Sequence, residues 1–129
     1  MAHVVIVEDD RFVGRSLQRQ LTSLGASSLL VVDPTEAAAA LEAEHPLLIV
    51  SDLRMPGLSG IQVLAMARAH FPNVRRCLTS GNLGDLGPAD LALIAPCALL
   101  QKPWHPSEIQ QVLEGLHHEG GLELPPQGS

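Results

Sequence analysis

Acidic, hydroxyl and basic side chains follow four short apolar stretches of the sequence. In chain order they are Glu8 and Asp9, Asp52, Thr79 with Ser80, and Lys102. Three carboxylates that lie close together are costly unless a cation shares the site, and oxygen ligands favour Mg²⁺. An aspartate beside Mg²⁺, a hydroxyl group and an ammonium group is suited to receiving a phosphoryl group. The residue types therefore indicate phosphoryl transfer to an aspartate.

Five strands and five helices are predicted to position these side chains. The apolar stretches predict strands at about His3–Val7, Ser28–Val32, Leu47–Asp52, Val74–Thr79 and Cys97–Gln101. Helical spacing and end signals predict helices at about Phe12–Leu24, Asp33–His45, Gly60–His70, within Asn82–Pro96, and Ser107–His118. This alternation predicts an α/β fold: a flavodoxin-like five-stranded parallel sheet, order 2-1-3-4-5, with five flanking helices. In that order Glu8, Asp9 and Asp52 meet where the strand order reverses.

Local patterns make further predictions about single residues. Asp10 is expected to cap the first helix or to face solvent, with contact to the metal as the alternative, and Ser59 is expected to cap the third helix. Residues 107–110 (Ser-Glu-Ile-Gln) have the form of a capping box at the start of the fifth helix. Arg75 and Arg76 would be costly side by side in a buried strand. We therefore expect at least one of them to point to solvent and the fourth strand to be short.

The sequence resembles the receiver domain of two-component response regulators across about residues 3–118. The resemblance is carried by Glu8-Asp9, Asp52 with Met55-Pro56-Gly57 and Gly60, Thr79, and Lys102-Pro103. It implies that Asp52 is the phosphoryl acceptor. It also implies a Mg²⁺ site whose ligands are Glu8, Asp9, Asp52 and the backbone carbonyl of Arg54.

The resemblance assigns a second group of residues that would bind the phosphoryl group and respond to it. Thr79 and Lys102 would contact phosphoryl oxygens, and the peptide bond before Pro103 would be cis. Ser80 is the small residue after Thr79 and could replace it if the register shifted by one. Leu99 stands where the family commonly has Tyr or Phe, so the aromatic switch of the family is not expected here.

The resemblance implies a signalling module rather than an enzyme in the ordinary sense. Residues 1–119 would form a receiver, either stand-alone or cut from a longer protein, that assists its own Mg²⁺-dependent phosphorylation and dephosphorylation. Residues 120–129 would form a flexible tail or linker stub. The phosphoryl donor would be a sensor histidine kinase or a phosphotransfer protein. A downstream protein would read the face formed by the fourth helix, fifth strand and fifth helix. The sequence leaves the oligomeric state open.

Composition and charge disfavour other classes of protein. The formal net charge is −6 and no run of Lys and Arg offers a footprint for nucleic acid, so direct binding to DNA or RNA is not expected. No apolar stretch approaches the roughly 20 residues that span a bilayer, and the start of the chain lacks the features of a signal peptide. We therefore expect a cytoplasmic protein. Cys77 and Cys97 are expected to be buried reduced thiols, and the six histidines are not expected to bind zinc.

The same residues disfavour three alternatives to a phosphorylated receiver. A pseudo-receiver, which binds partners without a phosphoryl cycle, is disfavoured because the acidic, Thr and Lys positions are all present. A phosphoaspartate hydrolase of the haloacid-dehalogenase type would need a second Asp where Arg54 stands. A flavodoxin would need a Ser/Thr/Gly-rich phosphate loop after the first strand, where Glu8-Asp9-Asp10 would repel the phosphate of FMN.

Overall fold

A parallel sheet forms the centre of the protein in a computed structural model that describes residues 2–115 and 119–120. Its strands are β1 His3–Val7, β2 Ser27–Val31, β3 Leu48–Asp52, β4 Arg75–Ser80 and β5 Cys97–Gln101. The order is β2-β1-β3-β4-β5, with every pair parallel, which confirms the predicted fold. A two-residue strand, β6 Glu119–Gly120, adds an antiparallel edge beside β5 that the sequence did not predict. The rest of the predicted tail, 121–129, lies outside the described residues.

Five helices flank the sheet, as predicted. They are α1 Arg11–Ser23, α2 Ala37–Glu44, α3 Gly60–His70, α4 Pro88–Ile94 and α5 Pro106–Glu114, with 3₁₀ turns at Pro34–Glu36 and Leu83–Asp85. Asp10 caps α1, since its carboxylate accepts the backbone N–H groups of Phe12 and Val13. Ser59 and Gln62 form a capping box on α3. These caps satisfy backbone donors that the first helical turn leaves unpaired.

The start of α5 differs from the prediction by two residues. His105, and not Ser107, is the cap: its imidazole accepts the Ser107 N–H at 3.1 Å, and the Glu108 carboxylate accepts the His105 N–H at 3.0 Å. Pro106 follows at the first helical position, which suits its fixed φ and its missing N–H. The helix ends before Gly115, whose φ is +75°. The predicted extension through residues 116–118 lies outside the described residues.

Both faces of the sheet are covered by apolar side chains. On one face, α1 and α5 bury residues that include Leu17, Leu21 and Ile109 against β1 and its neighbours. On the other, α2, α3 and α4 bury residues that include Leu41, Leu64 and Ile94. Parallel strands buried on both faces read as continuous apolar runs, which is why the strands were recognisable in the sequence. The two layers hold the carboxyl ends of β1, β3, β4 and β5 at one edge of the sheet.

The two arginines of β4 are a correction to the prediction. Arg76 is 7% exposed, and its guanidinium donates to the carbonyl oxygens of Ile94 and Pro96, each at 3.1 Å. Arg75 is half-buried and donates to the carbonyls of Val112 and Leu113 near the end of α5. Carbonyls at the end of a helix lack partners within the helix, so they offer acceptors for buried cations. Both guanidinium groups thus find hydrogen-bond acceptors within the protein instead of pointing to solvent. The strand β4 is six residues long, not short as predicted.

Gly60 is a position where any side chain would collide with the core. A Cβ there would meet the backbone carbonyl of Asp52 and would lie 2.8 Å from Cδ1 of Leu78. We expect Gly60→Ala to lower the free energy of unfolding by about 1–3 kcal/mol, because a well-packed core must shift to admit the methyl group. Urea unfolding would measure this loss. Gly81→Ala is the control, because a Cβ at Gly81 has no neighbour within 4 Å. Equal unfolding midpoints for the two variants would contradict the prediction.

Cys77 and Cys97 are buried thiols that form no disulfide, as expected. Burial, and secondarily the nearby Cys97, raises the pKa of the Cys77 thiol well above its usual value. The unfolded chain releases this proton above about pH 8.5 while the folded protein keeps it. Stability should therefore fall as pH rises past that value, since the folded state binds more protons. Urea midpoints followed from pH 7.5 upward should show a shallower fall in Cys77→Ala; identical slopes would exclude this contribution.

Candidate functional site

Three carboxylates lie together at the carboxyl edge of the sheet. Glu8 and Asp9 follow β1, Asp52 ends β3, and these strands are neighbours with Val7 opposite Ser51. One carboxylate oxygen from each of Glu8, Asp9 and Asp52 lies within 4.8 Å of the other two. Glu8 and Asp52 are 4% and 9% exposed, whereas Asp9 is exposed. The cluster is therefore open to solvent on the side of Asp9.

Lys102 supplies the cation that this cluster needs. Its Nζ lies 2.9 Å from Oε1 of Glu8 and 3.0 Å from Oδ1 of Asp52. The residue directly follows β5, its backbone N–H donates to the Ser80 carbonyl, and the Lys102–Pro103 peptide bond is cis. Lys102 is also the only lysine in the sequence. Sequence reasoning placed Lys102 at the site but did not predict its bond to Glu8.

Burial and neighbouring charges shift the pKa values of Glu8 and Lys102. Burial raises the pKa of Glu8; the hydrogen bonds from Lys102 and from the Asp10 N–H oppose this, and the charge of Asp52 adds to it. Burial by itself would lower the pKa of Lys102, but its bonds to Glu8 and Asp52 outweigh that effect and the pKa is raised. The ammonium group is therefore held in its charged form at neutral pH.

The hydroxyl residues lie on β4, next to Asp52. Thr79 pairs in register with Asp52, is 2% exposed and lines the same narrow crevice as Glu8 and Trp104. Ser80 is equally buried, and its hydroxyl accepts the Asn82 N–H at 3.0 Å in the turn that follows β4. Thr79 thus shares the crevice with Glu8 and Asp52, while the hydroxyl of Ser80 is engaged in the turn.

Arg54 and Leu99, two further residues that the sequence assigned to the site, lie around the carboxylates and Lys102. Arg54 follows β3, and its side chain forms an exposed ion pair with Asp85 in the 3₁₀ turn before α4. Leu99 is half-buried in β5 and packs on the α2–α4 side of the sheet. The pair between Arg54 and Asp85 links the loop after β3 to the loop after β4. Sequence reasoning missed it, because residues 31 positions apart give no local signal.

Trp104, two residues after Lys102 in the sequence, lies next to the site. The centroid of its ring lies 5.8 Å from Nζ of Lys102, within the range of a cation–π contact. Its Nε1 is buried and has no hydrogen-bond partner among the residues that the structure describes. The indole ring is therefore in direct contact range of the Lys102 ammonium group.

A family model for the response regulator receiver domain matches residues 4–114. The chain belongs to this family. It is therefore a receiver domain of two-component response regulators, and the carboxylates, Thr79 and Lys102 lie at the strand ends where the family resemblance predicted them. No helix in the described ranges is long and apolar enough to cross a bilayer.

Curated relatives of this receiver domain are longer proteins. The chain is 36% identical over 110 residues to the transcriptional regulatory protein FixJ of Azorhizobium caulinodans, covering 82% of this chain and 50% of that protein. It is 31% identical over 90 residues to the C4-dicarboxylate transport transcriptional regulatory protein DctD of Rhizobium meliloti, covering 70% and 19%. The chain thus spans half or less of the length of these relatives.

A solved receiver domain supports the same fold. The CheY-like response regulator receiver domain from Methylobacillus flagellatus superposes with a TM-score of 0.80 at 24% identity, covering 91% of this chain and 99% of that one. At this level of identity the likeness concerns the fold.

Proposed function

We propose that Asp52 accepts a phosphoryl group from a phosphohistidine on a sensor histidine kinase or phosphotransfer protein. The observation that carries the proposal is the position of Lys102, which bonds to both Glu8 and Asp52 at the edge where Thr79 is the register partner of Asp52. The acceptor and a hydroxyl donor thus line one crevice, and a cation bonds directly to the acceptor. A structural salt bridge alone would not require Asp9, whose carboxylate is exposed beside two others.

The acidic cluster fits a magnesium ion. Oxygen ligands around Mg²⁺ lie about 2.1 Å from the metal, and hence about 3 to 4 Å from one another. The three carboxylate oxygens lie within 4.8 Å of each other, so a small inward movement would suffice. Glu8, Asp9, Asp52 and the backbone carbonyl of Arg54 would hold the ion. When bound, it would offset the repulsion between the anionic donor and the anionic acceptor.

The transfer step uses the carboxylate of Asp52 as the nucleophile. One of its oxygens forms a bond to phosphorus while the P–N bond of the donor phosphohistidine breaks, and the imidazole leaves with the electron pair. The product is an acyl phosphate. Lys102 then exchanges its contact with the carboxylate for a contact with a phosphoryl oxygen, and Thr79 donates its hydroxyl to another.

The output of this switch would be a change in the backbone between Asn82 and Ile94. Leu99 has no ring to reorient, and the ion pair between Arg54 and Asp85 connects the loop of the acceptor to this segment. A downstream protein would read the change on the face formed by α4, β5 and α5. Hydrogen exchange with and without beryllofluoride, a mimic of the phosphoryl group, should show altered protection in this segment. Unaltered protection there, with changes on another surface, would refute this route.

Intact-mass spectrometry tests the function itself. The protein incubated with acetyl phosphate and Mg²⁺ should gain one phosphoryl group, and the same incubation with EDTA should give no adduct. Absence of any adduct with Mg²⁺ present, in protein whose melting curve shows it to be folded, would favour the pseudo-receiver alternative: a partner-binding module without a phosphoryl cycle.

A further inference from the structure

A groove with a concentrated positive charge runs along the length of α1, on the side of β2. It has a volume of about 1200 Å³, and the side chains that line it include Arg11, Arg15 and Arg19 but no acidic residue. All three arginines are exposed, and none has an ion-pair or hydrogen-bond partner within the part of the chain that the structure describes. Like charges four residues apart destabilise a helix by a few tenths of a kcal/mol. The formal net charge of the whole chain, by contrast, is −6.

The other wall of the groove is an open strand edge. β2 is the terminal strand of the sheet. The Ser27 N–H donates to Ala2 and the Val31 carbonyl accepts from Glu8, so residues 27, 29 and 31 face β1. The backbone groups of Ser28 and Leu30 therefore point away from the sheet. Among these outward groups, and within the described residues, only the Ser28 carbonyl accepts a hydrogen bond from a side chain, the Gln18 amide at 3.4 Å.

This edge lacks the features that usually protect a terminal strand. Ser27–Val31 reads Ser-Ser-Leu-Leu-Val, without a charge or a proline. Exposed edges in monomeric proteins are normally blunted by charged residues, prolines or covering segments, because free N–H and C=O groups pair with other chains. The charged residues beside this edge are the arginines of α1, and all of them are positive.

The spacing of the arginines matches an added strand. Residues four apart on a helix are separated by about 6 Å along its axis. Alternate residues of an extended segment are separated by about 6.7 Å and point to the same side. Acidic residues at every second position would therefore meet Arg11, Arg15 and Arg19 in turn, while the backbone of the segment pairs with Ser28 and Leu30.

We propose that this groove binds an extended acidic segment of a partner protein, which adds to the sheet as a strand beside β2. The strand edge favours a polypeptide over a lipid or a nucleic acid, because neither of those offers a ladder of backbone donors and acceptors. A second copy is disfavoured, since antiparallel pairing of β2 with β2 about a two-fold axis would bring two arginine-lined α1 helices onto the same face. None of the residues that line the groove belongs to the phosphoryl site, so the proposal does not depend on the chemistry at Asp52.

The test uses fluorescence anisotropy with two labelled peptides of identical composition. One has Glu at every second position with Val and Thr between, and the other has its Glu residues in one block. The alternating peptide should bind more tightly than the block peptide. Arg15→Gln with Arg19→Gln should weaken its binding roughly tenfold, the sum expected for a few exposed ion pairs. Arg68→Gln, which removes an exposed arginine from α3, should leave it unchanged.

A second pair of measurements separates strand pairing from charge. Ser28→Pro removes an outward N–H, a change that edge strands tolerate, and should abolish binding without lowering the melting temperature. An alternating peptide with N-methylated backbone amides should fail to bind the unaltered protein, whatever the fold of the proline variant. The proposal is overturned if the alternating peptide does not bind, or if it binds no more tightly than the block peptide. It is also overturned if the double variant Arg15→Gln with Arg19→Gln binds the alternating peptide as tightly as the unaltered protein does, or if the N-methylated peptide binds as tightly as the unmethylated one. Self-association of the protein through this edge that excludes the peptide would do the same.

Discussion

Lys102→Met should destabilise the metal-free protein and enlarge the stabilisation that Mg²⁺ gives. Loss of the ammonium group leaves Glu8 and Asp52, both largely buried, next to each other and to Asp9 with no cation. Breaking a fully buried ion pair costs about 3–5 kcal/mol, and partial solvent access to this site reduces that to about 2 kcal/mol. A bound Mg²⁺ would neutralise the same charges, so the variant should gain more from the metal than the unaltered protein does.

Urea unfolding in EDTA and in Mg²⁺ measures both effects. Arg19→Met is the control, because it removes one positive charge from the exposed surface of α1, where the guanidinium has no ion-pair or hydrogen-bond partner among the described residues. It should change neither the metal-free stability nor the response to Mg²⁺ to a comparable extent. If Lys102→Met were as stable as the unaltered protein in EDTA, Lys102 would not be the group that balances the buried carboxylates.

Asp9→Asn should remove most of the thermal stabilisation by Mg²⁺ while making the metal-free protein slightly more stable. Asp9 is the exposed member of the three-carboxylate cluster, so its charge adds repulsion without metal and a ligand with it. A ligand present at a hundred times its Kd stabilises the folded state by about 2.7 kcal/mol, and most of this gain should be lost. Melting curves with increasing Mg²⁺ would show the difference.

The neighbouring residue provides a matched control. Asp10 caps α1 and is not part of the cluster. Asn caps helices about as well as Asp, so Asp10→Asn should keep both the fold and the response to Mg²⁺. A loss of the Mg²⁺ response in Asp10→Asn but not in Asp9→Asn would move the metal site away from the assigned residues.

The fold and most of the site could be predicted because their signals are local. Strands buried on both faces leave apolar runs, and Gly or Pro marks the ends of the helices between them. Once the strand order was inferred, topology alone brought Glu8 and Asp9 next to Asp52. The bounds of α3 and its cap at Ser59 followed from the same kind of local pattern.

The features that escaped prediction depend on contacts between distant residues. Burial of Arg76 is possible only because α4 ends where its carbonyls can accept the guanidinium, and nothing near Arg76 in the sequence shows this. His105 replaces Ser107 as a cap because its imidazole can accept an N–H, which is a rarer choice than a hydroxyl. The bond between Lys102 and Glu8 joins residues 94 positions apart. Propensity and spacing carry no information about such pairs.

Locating the phosphoryl group tests the central claim most directly. After incubation with acetyl phosphate and Mg²⁺, borohydride reduces an aspartyl phosphate to homoserine, which peptide mass spectrometry detects. Trypsin separates the candidates, because Asp52 falls in the peptide 20–54 and both Glu8 and Asp9 fall in residues 1–11. The account predicts homoserine at position 52 and none in Asp52→Asn treated in the same way. A reduced residue within 1–11, or a phosphoryl adduct that borohydride does not convert, would contradict the assignment of Asp52 as the acceptor.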